Sequence, residues 1–445
     1  MMAFRIRPPR SLALDVALIV TIALAFGVVL AYMRMPAPVP TGVQRALDTR
    51  PLGERAVDQA QQALATKPND PRAMTNLASA YLLRVRETGD SSYYPRAEEL
   101  LRRAAEALPD DADVLIGLGS LASARHDFAT AATYGQRAVT AAPSHAASYG
   151  VLTDALVELG RYDEAIQAAQ QMMDIRPDQS SYSRVSYIRE LHGDVDGAIA
   201  AMRVAVAAGA PDTEPTAWSE AHIGNLLFAK GDLDGAEREY QLSLMRFDHE
   251  VFGRAGLARV QAARGDLAGA AQEAELAVQT MPLPEFVALL GDIYAAMGDT
   301  DRAAQQYELV GAMQRLFAAN GVRTDLDIAG FDADHGIDLD DAVAAARAEY
   351  AIRPSVTVSD VLSWVEYRAG DLPDAARHSR EALRLGSQDP LMLYHAGVIA
   401  QAVGDAERGA MLLRTAYAMN PSYFLLWQQD LTARVAALDA AEVAS

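Results

Sequence analysis

Asp332, Asp334, Asp338, Asp340 and Asp341 fall within ten residues of one another, carboxylates at near-alternate positions. Hard divalent cations such as calcium are held by oxygens spaced in this way. The pattern breaks at two positions: Gly336 stands fifth, where a calcium loop takes a ligand, and Val343 stands twelfth, where it takes a bidentate Glu. The run therefore reads first as a turn between helices, in which Asp residues cap and terminate. Histidines at 126, 145, 192, 222, 249, 335, 378 and 395 are scattered, with no two at the i, i+3 or i+4 separation that puts a metal-binding pair on one helix face. His126 and His192 fall at helix ends and read as structural. With no cysteine, disulfides, thiolate zinc sites, iron–sulfur clusters and an acylated lipoprotein cysteine are all excluded. Walker-type, G-x-S-x-G, HExxH and G-x-G-x-x-G fingerprints are absent as well. The expectation is a protein that is no enzyme, with no catalytic residue, no metal and no cofactor.

The elements that would position any site are helical. Hydrophobic residues make up 51% of the 445 and charged residues 22%, a balance of a folded chain. Alanine dominates the apolar set, and no stretch sustains a period-2 alternation, so closely packed helices are predicted and essentially no strand. The net charge is -20. Such a body repels phosphate backbones, which argues against nucleic acid as a partner.

The positive charge that does cluster is N-terminal. Arg5, Arg7 and Arg10 precede residues 12–33, twenty-two residues in which Asp15 is the only charge. At about 1.5 Å per residue this is a helix of roughly 33 Å, enough for the ~30 Å hydrocarbon core of a bilayer. The three arginines outweigh Arg34 on the far side, which predicts residues 1–11 in the cytoplasm and the body outside. A cleaved signal peptide is the competing reading, but the apolar stretch is long and no small-x-small site follows it. Residues 34–51, with Pro36, Pro38 and Pro40, form an extended spacer.

Beyond the spacer, one pattern recurs. Gly160, Gly193, Gly231, Gly265, Gly298, Gly336, Gly370 and Gly404 are spaced 33, 38, 34, 33, 38, 34 and 34. Asp follows the glycine at 194, 232, 266, 299, 371 and 405, and Ala lies five residues past it at 165, 198, 236, 270, 303 and 375. The Gly ends a first helix in a left-handed turn, the Asp starts a second, and the small Ala lets the two cross closely. Pro109, Pro143, Pro177, Pro282, Pro354 and Pro421 stop the second helices.

A period of 34 made of two helices resembles the tetratricopeptide repeat. Leu290, Gly291, Tyr294, Gly298, Ala303 and Tyr307 match the family pattern almost in full; Leu118, Gly119, Ala131, Ala138 and Pro143 match it again, as do Leu257, Gly265, Ala270, Ala277 and Pro282. The resemblance implies an all-α, right-handed solenoid of about ten hairpins over 52–422, capped by 423–445 and tethered by the single transmembrane helix. Insertions at 87–95, 209–216 and 308–325 interrupt it.

The resemblance also implies a concave groove lined by the first helices. Mapped through the glycine register, its groove positions are Tyr187, Trp218, Asn225, Phe228, Phe252, Arg259, Trp364, Tyr367, Arg368 and Tyr394. A one-residue misregister turns a helical side chain by about 100°, so core is the competing place for each. Family members that hold chaperone tails use a Lys/Asn/Arg clamp; here Asn225 fits, but Ala221 replaces the basic residue and Arg259 comes a repeat later. The implied function is a membrane-anchored scaffold on the extracytoplasmic face of the cell membrane. It would bind an unidentified protein client in assembly of an envelope complex. The alternatives are a self-associating structural protein and a client-holding factor in cytochrome c maturation or polymer export.

Overall fold

The computed structural model describes residues 50–444, and within them there are twenty-two α-helices and no strand. Helix α1 (Leu52–Thr66) precedes ten antiparallel hairpins and α22 (Gln428–Ala444) follows them. Hairpins 1 to 3 are α2–α3 (Pro71–Thr88, Tyr93–Ala107), α4–α5 (Ala112–Ala124, Phe128–Ala141) and α6–α7 (Ala146–Glu158, Tyr162–Ile175). Hairpins 4 to 6 are α8–α9 (Gln179–Leu191, Val195–Ala208), α10–α11 (Glu214–Ala229, Leu233–Arg246) and α12–α13 (Val251–Ala263, Leu267–Thr280). Hairpins 7 and 8 are α14–α15 (Pro284–Ala296, Thr300–Ala319) and α16–α17 (Asp325–His335, Leu339–Ile352). Hairpins 9 and 10 are α18–α19 (Val356–Arg368, Leu372–Ala382) and α20–α21 (Pro390–Ala402, Ala406–Met419). The all-helical repeat architecture expected from the spacing is present. The segment 12–33 expected to span a membrane lies outside the described residues, and no described helix is long and apolar enough to cross one.

The turn chemistry sets each hairpin. Asp194, Asp232, Asp266, Asp299 and Asp405 each accept a hydrogen bond from the backbone N–H three residues on, capping a second helix. Loss of one such cap typically costs about 1 kcal/mol. In hairpin 2 the glycine is replaced by His126, which adopts the same left-handed backbone at φ 60° while Asp127 caps α5. Where the helices cross, Ala165, Ala198, Ala236, Ala270 and Ala375 are wholly buried. The insertion at 308–325 is resolved as an extension of α15 to twenty residues.

The array winds into a coil whose successive turns touch. The turn of hairpin 2 meets the link after hairpin 7: Arg323 N–H donates to the Arg125 carbonyl at 3.1 Å, and His126 Nδ1 lies 2.8 Å from the Arg323 carbonyl. The turn of hairpin 3 meets the link after hairpin 8, through Val356 N–H to the Tyr162 hydroxyl at 2.8 Å and Arg353 to Glu158 at 2.9 Å. Gly193 of hairpin 4 packs on the Gly386 carbonyl after hairpin 9. In hairpin 5, Gly231 packs on Met419, and Asn420 Nδ2 donates to the Phe228 carbonyl at 2.6 Å. Hairpin 1 joins the series, with Gly89 against Met281 after hairpin 6. Each turn thus rests on the link five hairpins later. The glycines of hairpins 3 to 5 have a second role here, because a Cβ at Gly193 would overlap the Gly386 carbonyl, whereas a Cβ at Gly265 meets nothing within 4 Å.

Candidate functional site

Closure of the coil turns the expected groove into a chamber. First helices α12, α14, α16 and α18 face inward around a cavity of about 790 Å³, completed by α15, by His126 and by Ser422 to Leu425. This size lies within the roughly 300–1,000 Å³ typical of ligand pockets. Its apolar wall is aromatic: Phe252 and Phe286 meet edge to face at 5.3 Å, and Phe331 lies 4.2 Å from the His335 ring.

Its polar groups divide into satisfied and unsatisfied. His335 directs Nδ1 at the Phe331 carbonyl (2.8 Å) and Nε2 at Asp292 (2.9 Å). Burial disfavours the imidazolium, yet those two acceptors together raise its pKa. Asp292 accepts the Tyr307 hydroxyl at 2.9 Å in addition. Arg259 donates to Asn225 Oδ1 at 2.7 Å and lies 5.5 Å from the centre of the Phe228 ring. Glu285 and Asp327 line the same cavity, exposed to it, and neither has a cation within ion-pair distance among the described residues. Enclosure by the protein, and then the charge of Asp327, push Glu285 up to about 7. Asp327 is raised by the same enclosure. Gln314 and Thr324 also line the chamber, 7% and 8% exposed, with no side-chain hydrogen-bond partner among the described residues.

The ten residues singled out from the sequence fall into separate places. Phe252 and Arg259 line the chamber; behind them Asn225 bonds Arg259, and Phe228 is fully buried beneath Arg259 and Tyr423. The distance between Asn225 and Arg259 in sequence is bridged by the hydrogen bond between them. Trp364 and Tyr394, 3% exposed each, belong to the core of the last hairpins, and Tyr367 and Arg368 pack beside them. Core rather than groove is where these two aromatic rings lie. Trp218 stacks on His222 at 5.3 Å, and Tyr187 is 36% exposed away from both groups.

The acidic run at 332–341 is divided rather than convergent. Asp334 accepts from the indole N–H of Trp364 (2.9 Å) and of Trp427 (3.2 Å), whereas Asp332 is half-buried near Asp338 and Asp341. Burial, then those two charges, raise Asp332 to about 6. Glu366, Asp371 and Asp374 also converge, and Arg347 fills that site with ion pairs to all three.

The chamber residues missed from sequence were within reach of the same register. Trp218, Phe252 and Glu285 each precede their hairpin glycine by thirteen residues, and Asn225, Arg259 and Asp292 by six. The selection stopped at large and hydrogen-bonding groups of hairpins already chosen. Nothing in the spacing brings His126 or Tyr423 to that wall, because they arrive through closure of the coil; Asp327 lies on first helix α16, beyond the insertion at 308–325.

Hairpin geometry agrees with what matches the sequence: two tetratricopeptide repeat models, over residues 90–146 and 122–185. Residues 90–185 thus match tetratricopeptide repeats. No curated protein matches it. Among solved structures, a thermophilic TPR protein of Thermus thermophilus is 19% identical over 47% of this chain and 99% of its own, with TM-score 0.36. A tetratricopeptide repeat protein of Parabacteroides merdae is 15% identical over 55% and 97%, TM-score 0.40. The APC/C Cut9–Hcn1 hetero-tetramer gives 12% over 86% and 93%, TM-score 0.37. Tetratricopeptide repeats in general mediate protein–protein contacts.

Facing away from the chamber, the second helices carry a further feature. Val204, Leu242, Leu276 and Leu309 each lie eleven residues after the glycine of hairpins 4, 5, 6 and 7. They are 42%, 39%, 41% and 40% exposed, a row of aliphatic side chains at one register position. At that position hairpins 2 and 3 carry Arg137 and Gln171, and hairpins 8, 9 and 10 carry Arg347, Glu381 and Thr415. Met245 and Leu316, at other positions of the second helices, are 74% and 60% exposed.

Proposed function

We propose that this chain is a non-catalytic scaffold, anchored to the cell membrane by residues 12–33, whose tetratricopeptide repeats hold a partner protein on the extracytoplasmic side. The observation that carries the reading is the aliphatic row of hairpins 4 to 7. It is bounded at both ends by polar residues at the same register position, as the apolar centre of an interface is bounded by a polar rim. Closure of the coil moves the partner-binding face from the inside, where the family's groove would lie, to the outside. Support for the anchor is confined to sequence: the apolar length of 12–33 and the three arginines before it. Assembly of an envelope complex remains the role that this layout suits, with client holding in polymer export or cytochrome c maturation as narrower versions of it.

Replacing Val204, Leu242, Leu276 and Leu309 together by Ser tests the reading in membranes by cross-linking. Loss of the captured partner with an unchanged melting temperature supports it, and an unchanged set of cross-links removes it. A second copy of this chain is the alternative occupant of the row. Light scattering decides between them: a concentration-dependent dimer abolished by the same four substitutions assigns the row to self-association. Protease accessibility in spheroplasts tests the topology.

A further inference from the structure

The inner chamber has a chemistry of its own, independent of the outer row. Four observations bear on it. The cavity measures about 790 Å³, large for a folded interior and suited to a small organic ligand. Its carboxylates at Glu285 and Asp327 are exposed to the chamber and form no ion pair among the described residues, so a cation placed between them would meet two acceptors. Gln314 and Thr324, more than nine-tenths buried, offer an amide and a hydroxyl that no protein group satisfies. Their polar atoms stay accessible from the chamber and are free to meet a ligand there. Finally, Phe252, Phe286 and Phe331 supply ring faces, which attract cations and pack against apolar bodies.

We infer that the chamber binds a small amphipathic organic cation, its ammonium group between Glu285 and Asp327 and its apolar body against Phe286 and Phe331. Gln314 and Thr324 orient the ligand by hydrogen bonds. The basic groups of the wall have protein partners already: Arg259 is held by Asn225, His335 by Asp292 and the Phe331 carbonyl, and His126 by the Arg323 carbonyl. None of them forms an ion pair with Glu285 or Asp327, although the charge of Arg259 acts on Glu285 and those of His126 and Arg353 on Asp327. Arg259 does set the limit on the opposite charge, since a carboxylate ligand would go to it instead.

The test uses the full chain in detergent with phenethylammonium as the probe, phenylpropionate as the anionic counterpart, and titration calorimetry. Saturable binding of the amine is expected. The double substitution Glu285→Gln with Asp327→Asn weakens it about tenfold or more, as expected for loss of a charged hydrogen-bonding partner. These two changes remove mutual repulsion, so the melting temperature holds or rises and unfolding does not confuse the result. Gln314→Leu, a second variant, weakens binding without touching a charge. Preference for phenylpropionate, or amine binding unaltered in the double variant, overturns the assignment. No amine binding at all overturns it too. A Leu-Lys-Phe tripeptide that displaces the amine and outbinds it would give the site to a partner's lysine rather than to a small molecule, which also overturns it. Because the double variant leaves Val204, Leu242, Leu276 and Leu309 in place, partner capture by the outer face is read separately.

Discussion

The backbone N–H of Val356 donates to the hydroxyl of Tyr162 at 2.8 Å, although 194 residues separate them. One belongs to the first turn of α18 and the other to the first turn of α7, so the bond ties one turn of the coil to the next. It repeats in other chemistry at each seam contact, and it makes the array a closed body rather than an open spring.

If the seam holds the coil shut, equal-looking glycine substitutions differ. Gly193→Ala and Gly265→Ala both place a Cβ on a left-handed residue, at a cost of roughly 1–2 kcal/mol. Only Gly193→Ala also drives a methyl group into the Gly386 carbonyl, and it should lower the melting temperature further. Amide exchange checks the location: residues 383–389 exchange faster in Gly193→Ala and stay protected in Gly265→Ala. Equal melting temperatures would mean that the turns do not touch.

Tyr162→Phe removes the partner of a buried N–H without changing the packed volume. The expected loss is about 1–3 kcal/mol, the usual cost of a buried donor left unsatisfied. Denaturant unfolding measures it. Arg353→Ala, which breaks the ion pair to Glu158 at the same seam, should destabilise less than additively with it.

Stability should depend on pH through Glu250. It is 2% exposed, and burial together with the charge of Glu214 push its pKa up to about 8. A carboxyl raised in the folded state keeps its proton there while the unfolded chain has released it. Stability is therefore full below the ordinary carboxylate pKa near 4.5 and falls as pH rises toward about 8. Glu250→Gln should flatten this fall by roughly 2–4 kcal/mol between those limits. Chemical denaturation at three pH values reads it, and a wild-type curve that rises over that range would contradict the assignment.

Asp334 is the acceptor for two indoles, Trp364 in α18 and Trp427 in the turn before α22. Asp334→Leu leaves both N–H groups without a partner and should cost roughly 2–4 kcal/mol, while Asp334→Asn retains an acceptor and costs less. Tryptophan emission provides the readout, because Trp364 and Trp427 lie in one cluster at 5.3 Å between ring centroids. The use of Asp334 in this way also bears on calcium. Millimolar calcium should leave the melting temperature unmoved, and a calcium shift lost in Asp338→Ala would reverse that.

Hairpins were legible in the chain because each is made by contacts within about 34 residues. Gly193, Asp194 and Ala198 carry a turn, a cap and a close crossing by their residue types alone. His126 concealed one turn, since a non-glycine residue at positive φ gives no such sign. The groove residues were legible only in part. A register of 34 fixes which face of a first helix looks inward, and so brings Asn225 and Arg259 into contact. It does not fix the small rotation from each hairpin to the next. That rotation is the sum of many inter-helix packing angles, and a few degrees per repeat decide whether an array stays open or meets itself. Closure after five hairpins therefore belongs to the tertiary structure. It brought His126 and Tyr423 to the chamber and left Val204, Leu242, Leu276 and Leu309 exposed, while stacking of the last hairpins buried Trp364 and Tyr394 against Trp427. The sequence by itself determined the repeat unit, whose forces are local. Only the winding decided which surface is inside, because that is set by contacts between residues nearly two hundred positions apart.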